Sequence, residues 1–123
     1  MTTVVPNFNF DGRCAEAIEL YQRAFDTKAD HVHKDEDGSV YHAEMHIGGQ
    51  RIMLCDNTDV PFEPSASLSL CVSMDSDAEV RHAFDVLGEG GKILYSLQST
   101  PYASSFASLF DRFGFRWVLM NEK

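Results

Sequence analysis

The chain has 123 residues, 44% of them hydrophobic and 24% charged, with ten basic against nineteen acidic side chains for a formal net charge of −9. That length suits one compact domain and is too short for two independent ones, so 1–123 reads as a single domain whose halves share a core. The negative charge repels a phosphate backbone and weighs against nucleic acid as a partner, and no apolar run approaches the length of a membrane span.

In chain order, Val4 to Phe10 alternates as a first strand, with Pro6 near its start, where a missing N–H does least harm. Asp11-Gly12 makes a turn, and a helix follows over about Arg13 to Phe25. Its apolar positions Cys14, Ala17, Ile18, Tyr21 and Phe25 recur at spacings of three and four and form one face. Asp26-Thr27 breaks the helix, Lys28 to His33 is a second strand, and Lys34 to Gly38 is a polar loop. Tyr41 to Ile47, Gly48-Gly49 and Gln50 to Cys55 read as strand, tight turn and partner strand. Asp56 to Ser65, with Pro61 and Pro64, is a loop, which gives a first module over about 1–57, a linker over about 58–65 and a second module over about 66–123. About 63 residues after the first strand and helix the pattern repeats. Leu68 to Met74 is a strand, and Asp75-Ser76-Asp77 opens a helix ending near Leu87. Gly88 to Gly91 terminates that helix, Lys92 to Gln98 is a strand, and Ser99 to Ser104 is a loop. Phe106 to Asp111 and Phe115 to Met120 are strands around the turn at Arg112-Phe113-Gly114. The order is βαβββ twice, an α+β chain in which each sheet has one helix to cover it.

The three cysteines, Cys14, Cys55 and Cys71, are odd in number, lack CxxC spacing and fall inside predicted elements, which reads as buried reduced thiols. The start Met1-Thr2-Thr3 lacks the basic residues and apolar core of a signal peptide, and the expected location is the cytoplasm.

Three segments, Asn9 to Ala17 leading to Tyr21, His42 to Gln50, and Asp111 to Trp117, together resemble the vicinal oxygen chelate superfamily, the glyoxalase and bleomycin-resistance fold, and more closely its PhnB-like branch. The resemblance implies two βαβββ modules, each curling its sheet into a half-barrel, a cup-shaped cavity, and a homodimer. Catalytic members hold a divalent metal with side chains from four strands, and matching by motif puts those positions at Pro6, Met53, Ser69 and Val118. Proline and valine offer no donor, a thioether is a poor ligand for hard ions and one hydroxyl does not hold one, so no metal or other cofactor is expected there. Some PhnB-like proteins carry a 3-demethylubiquinone methyltransferase label, yet the chain has no GxGxxG. Gly88-Glu89-Gly90-Gly91 follows a helix instead of a strand, the wrong context for a nucleotide turn.

Candidate ligand-binding residues follow from strand parity. His42, Glu44 and His46 point to one face, as a polar pocket wall, an ordinary solvated face, or a relocated site for a metal or for acid–base chemistry; His42 and His46 lie about 13 Å apart at Cα, too far to share one ion. His31 and His33 form a similar pair beside a loop. Arg51, on the parity of Met53, and Arg116, on that of Val118, suit a carboxylate or phosphonate, or else pair with an acid such as Glu44. Phe8, Phe10, Met53, Met120 and Trp117 line a pocket or fill the core. The sequence thus favours binding of a small organic molecule of unknown identity, with Ser69 and Val118 on the wall, over a lyase, isomerase or dioxygenase built on His42, Glu44 and His46.

Overall fold

Asn7, Phe8, Asn9 and Phe10 alternate amide with aromatic and form β1 (Asn7–Phe10), both rings buried. The computed structural model describes residues 1–63 and 65–123; Pro64, assigned above to the linker, lies outside the described residues. β1 starts after Pro6, which gives no ladder N–H and contributes only its carbonyl, accepting from the Met53 N–H at 2.9 Å. Gly12 turns the chain at φ +109°, where a side chain would be strained. Helix α1 (Cys14–Phe25) follows. It buries Cys14, Ala17, Ile18 and Tyr21, as its spacing predicts, and Leu20 and Ala24 besides, while Phe25, expected on that face, is only half-buried. One carboxylate anchors its start: Asp56 Oδ1 accepts from the Gly12 and Cys14 N–H groups at 2.8 and 3.0 Å, and Oδ2 accepts from the Val40 N–H at 2.9 Å. Three orphan backbone donors are thereby satisfied by a residue 42 to 44 positions away at two of them and 16 at the third.

The first unit, Met1–Phe62, is completed by β2 (Ala29–Lys34), β3 (Val40–Ile47) and β4 (Gln50–Asp56). The sheet order is β1-β4-β3-β2, with β1 parallel to β4 and the other pairs antiparallel. Alternation sends Phe8, Phe10, Ala43, Met45, Ile52 and Leu54 to the face that α1 covers, where all are buried; Ile47 is half-buried.

The second unit, Glu63–Lys123, repeats the order and topology with β5 (Ser65–Ser73), α2 (Asp77–Leu87), β6 (Lys92–Thr100), β7 (Ala103–Phe110) and β8 (Phe115–Glu122), arranged β5-β8-β7-β6 with β5 parallel to β8. Ser76 caps α2, its hydroxyl accepting from the Glu79 N–H at 3.1 Å and donating to the Glu79 carboxylate at 3.0 Å. Val80, Ala83 and Leu87 of α2 and Ala107, Leu109, Trp117 and Leu119 of the sheet are fully buried.

Several boundaries differ from the sequence reading: β1 begins at Asn7 rather than Val4, and β8 runs to Glu122 rather than Met120. β5 begins at Ser65 rather than Leu68, and the expected loop over Ser99 to Ser104 shrinks to Pro101-Tyr102. The β7–β8 ladder runs out to Ala103 against Glu122, and Lys123 N–H closes on the Tyr102 carbonyl at 3.0 Å, so long-range pairing overrides a serine-rich stretch that looks like loop. Among the described residues no helix is long and apolar enough to cross a membrane.

Candidate functional site

Each sheet has a second face, the one its helix does not cover. On the first sheet this face carries His42, Glu44 and His46 from β3 and Arg51, Met53 and Cys55 from β4, with Glu44 in register with Met53 and His46 with Arg51. Glu44 is the hub. Its Oε1 accepts from Arg51 Nε at 2.6 Å, its Oε2 lies 2.8 Å from His42 Nε2, and Arg51 Nη2 reaches the Met53 sulfur at 3.7 Å. The hydrogen bond from Arg51, and after it that from His42, pull the Glu44 carboxyl from its ordinary 4.5 down to about 2. A carboxylate so acidic stays ionised near neutral pH and is a poor proton acceptor, but it holds an imidazole and a guanidinium in place.

His46 does not join this row: its Nδ1 lies 2.7 Å from Asp30 Oδ2. Among the described residues no three of His, Cys, Asp and Glu are placed to hold a metal ion. His33 sits opposite His42 in register, the two rings stacked at 6.3 Å, and His31 stacks on His33 at 6.1 Å. The thiols are quiet. Burial, then the charge of Asp56, pushes Cys14 up to about 12 and also raises Cys55, whose Sγ donates to Asn9 Oδ1 at 3.3 Å. Cys71 is exposed and Cys55 half-buried, unlike the buried thiols expected from the sequence; desolvation, then the charge of Glu122, raises Cys71.

The second sheet's helix-free face is built from different residues. In register, Ser69, Arg116 and Phe110 form one row, Cys71, Val118 and Ser108 the next, and Ser73, Met120 and Phe106 a third. The Tyr95 and Tyr102 rings stand 6.2 and 6.3 Å from that of Phe106. Arg116 Nη1 donates to the Ala66 carbonyl at 3.2 Å, while its Nε is buried and, among the described residues, has no hydrogen-bond partner.

The structure moves several of the candidates inferred from the sequence away from these faces. Phe8 and Phe10 are buried on the α1 side, where Phe8 meets Tyr21 edge-on at 5.8 Å. Phe8 is in register with Leu54 and not Met53, and parallel partners share a face, so both rings are core. Trp117 is also core, its indole N–H donating to Asp111 Oδ2 at 2.9 Å. The strand-one position matched to Pro6 shifts as well: the residue in register with Met53 is Asn7. Asn7, Asn9, Asp30, Cys71 and Phe106 escape a reading of the sequence alone. For Asn7 and Asn9 the signal is their alternation with two phenylalanines, whereas Asp30 reaches His46 beside a register shift between Ala29 and His31 that periodicity does not announce.

Comparison with known proteins agrees with this architecture. A solved structure of protein PA1353 from Pseudomonas aeruginosa is 29% identical, with a TM-score of 0.86 over 99% of this chain and 98% of that one. A PhnB protein from Bacillus cereus is 28% identical, with a TM-score of 0.83 over 98% and 99%. A glyoxylase/bleomycin resistance protein/dioxygenase domain from Frankia sp. EAN1pec shares the fold at 16% identity, with a TM-score of 0.72 over 100% and 99%. The profile of the family described as 3-demethylubiquinone-9 3-methyltransferase matches residues 2–120, and with two βαβββ units of this topology the chain belongs to that family, the PhnB-like branch of the vicinal oxygen chelate superfamily.

Proposed function

We propose that the chain is a small-molecule-binding member of its family that works without the superfamily's metal and takes up an organic, anionic compound against a helix-free sheet face. One observation carries this reading. The donor set at the superfamily's metal positions is wrong for the ion: Met53 and Val118 face the helix-free side with a thioether and an alkyl group, and their register partners Asn7 and Cys71 add an amide and a thiol whose pKa is raised. A hard divalent ion needs three or four N or O donors at about 2.0–2.2 Å, and these residues do not fit it. Recognition by hydrogen bonds and cationic side chains remains, for which the first sheet by itself offers His42, Glu44, His46, Arg51 and Met53, and the second sheet by itself offers Ser69, Arg116 and Val118.

The family's description denotes methyl transfer. At the two strand-to-helix turns, three of the backbone N–H groups that could help hold a nucleotide-type methyl donor are already committed within the chain. Gly12 and Cys14 N–H are taken by Asp56, and the Glu79 N–H of α2 is taken by Ser76.

A second reading, a lyase, isomerase or dioxygenase centred on His42, Glu44 and His46, rests on the 2.8 Å contact that orients His42 on Glu44. His46, held by Asp30, supports it less. Elemental analysis and native mass spectrometry of protein purified without chelator separate the readings. The expected result is substoichiometric metal and a retained organic adduct. Near-equimolar zinc, nickel, manganese or iron displaced by Ser69→Ala or Met53→Ala overturns the first reading, and metal lost on His42→Ala or Glu44→Ala puts the second ahead.

The same reading makes the protein a cytoplasmic homodimer, supported by the edge strands that each sheet order leaves, β1 and β2 in one unit and β5 and β6 in the other. Light scattering tests it, and a clean monomer at the chain mass of 13.8 kDa overturns it.

A further inference from the structure

Both sheets present an arginine on the helix-free face, but the two are not equivalent. Arg51 is neutralised in place by Glu44, its Nε committed at 2.6 Å. Arg116 has no carboxylate on it among the described residues. Its Nη1 donates to the Ala66 carbonyl at 3.2 Å, which leaves Nε, buried and without a partner among the described residues, with Nη2 beside it on the same edge. That edge presents two parallel N–H groups, the spacing that a carboxylate accepts bidentately. Buried donors in native proteins are almost always satisfied, so an unpaired one on an arginine asks for an acceptor from outside the chain. Ser69, the register partner of Arg116 on the neighbouring parallel strand, adds a hydroxyl on the same face, and Val118 and Met120 continue the face as apolar surface.

Resting on the small-molecule reading above, we infer that the Nε edge of Arg116, with the Ser69 hydroxyl, is the anion-recognition point of this protein, and that its ligand class is an organic carboxylate with an apolar body lying toward Val118 and Met120. Arg51 serves instead to hold Glu44 and through it His42.

The experiment is nitrogen-15 NMR of the full chain, following arginine Nε–H resonances during titration with phenylacetate and, separately, with its uncharged isostere phenylacetamide. Phenylacetate is expected to shift the Arg116 Nε–H saturably, and the amide to bind at least about tenfold more weakly, as loss of a charge-assisted pair requires. Arg116→Gln and Arg116→Lys should both weaken phenylacetate by about tenfold or more, the lysine because a point charge lacks the planar edge. Arg81→Gln, which removes an exposed charge on α2, should change it by less than about twofold. Amide spectra of each variant report folding independently. Affinity retained in Arg116→Lys overturns the edge geometry. A shift at Arg51 instead, lost in Arg51→Gln, overturns the assignment to Arg116 but leaves the small-molecule reading standing. If neither probe moves a resonance on either helix-free face, both fall.

Discussion

The two sheets are alike on the side their helices cover and unlike on the other. Under α1 and α2 both bury a continuous apolar layer, Phe8, Phe10, Met45, Ile52 and Leu54 in one unit and Leu109, Trp117 and Leu119 in the other. On the helix-free side the first sheet carries an ionic row, His42, Glu44 and Arg51, and the second a face of Phe106, Phe110, Val118 and Met120 with one arginine, Arg116. The difference separates fold from function. Burying a helix admits few side-chain types, so that layer stays apolar in both repeats, whereas the opposite face is free to diverge and is where the proposed recognition chemistry lies. The family segment Asp111 to Trp117 belongs to the first category. Asp111 Oδ1 accepts from the Phe113 and Phe115 N–H groups at 2.9 and 3.1 Å and Oδ2 from the Trp117 indole, so that motif closes a turn rather than a site.

Core truncations test the equivalence of the covered sides and should give the largest effects. Trp117→Ala removes the largest fully buried side chain and leaves the Asp111 carboxylate without its indole donor, and we expect it to lower stability in urea by about 3–5 kcal/mol. Ile18→Ala in the other unit should lose about 2–4 kcal/mol, and a loss under about 0.5 kcal/mol would mean that α1 faces water. Asp56→Ala, which strands the N–H groups of Gly12, Cys14 and Val40, should lose about 1–3 kcal/mol in the same assay.

A finer comparison uses one carboxylate from each unit. Glu44 is pulled to about 2 chiefly by the cationic Arg51, and Asp77 to about 2 by the neutral donors Ser104, Ser105 and Asn121, at 2.6, 2.6 and 3.0 Å. Both folded values lie below the unfolded ones. The stability each contributes is therefore present above its ordinary value, 4.5 for Glu44 and 3.8 for Asp77, and is lost as pH falls from there toward about 2. At about 1 M salt, where screening acts within about 3 Å, the Glu44 carboxyl should titrate higher while Asp77 stays put. Carbon-13 NMR of the two carboxyl groups measures this, and equal movement of both would show that their environments do not differ in charge. Arg51→Gln should raise Glu44 alone.

The order of elements was legible in the chain because it is written in short-range patterns: the three-and-four spacing from Cys14 to Tyr21, the alternation from Tyr41 to Ile47, and the glycine turn at Gly48-Gly49. Strand parity also placed Arg51 with Met53 and Arg116 with Val118 on one side of their strands, as the ladders confirm. Parallel register was not legible, because β1 meets β4 and β5 meets β8 across whole intervening elements, and a one-residue change of register turns a residue to the opposite face. That is why the sequence left Phe8 and Phe10 between pocket lining and core, where the structure puts them in the core, and why the position opposite Met53 is Asn7. Spacing reveals only part of which charges meet. The pairing of Arg51 with Glu44 was one of the alternatives read from the sequence, whereas His42 on Glu44, His46 on Asp30 and the buried Nε of Arg116, unpaired among the described residues, depend on distances of a few ångströms that only the folded sheets determine.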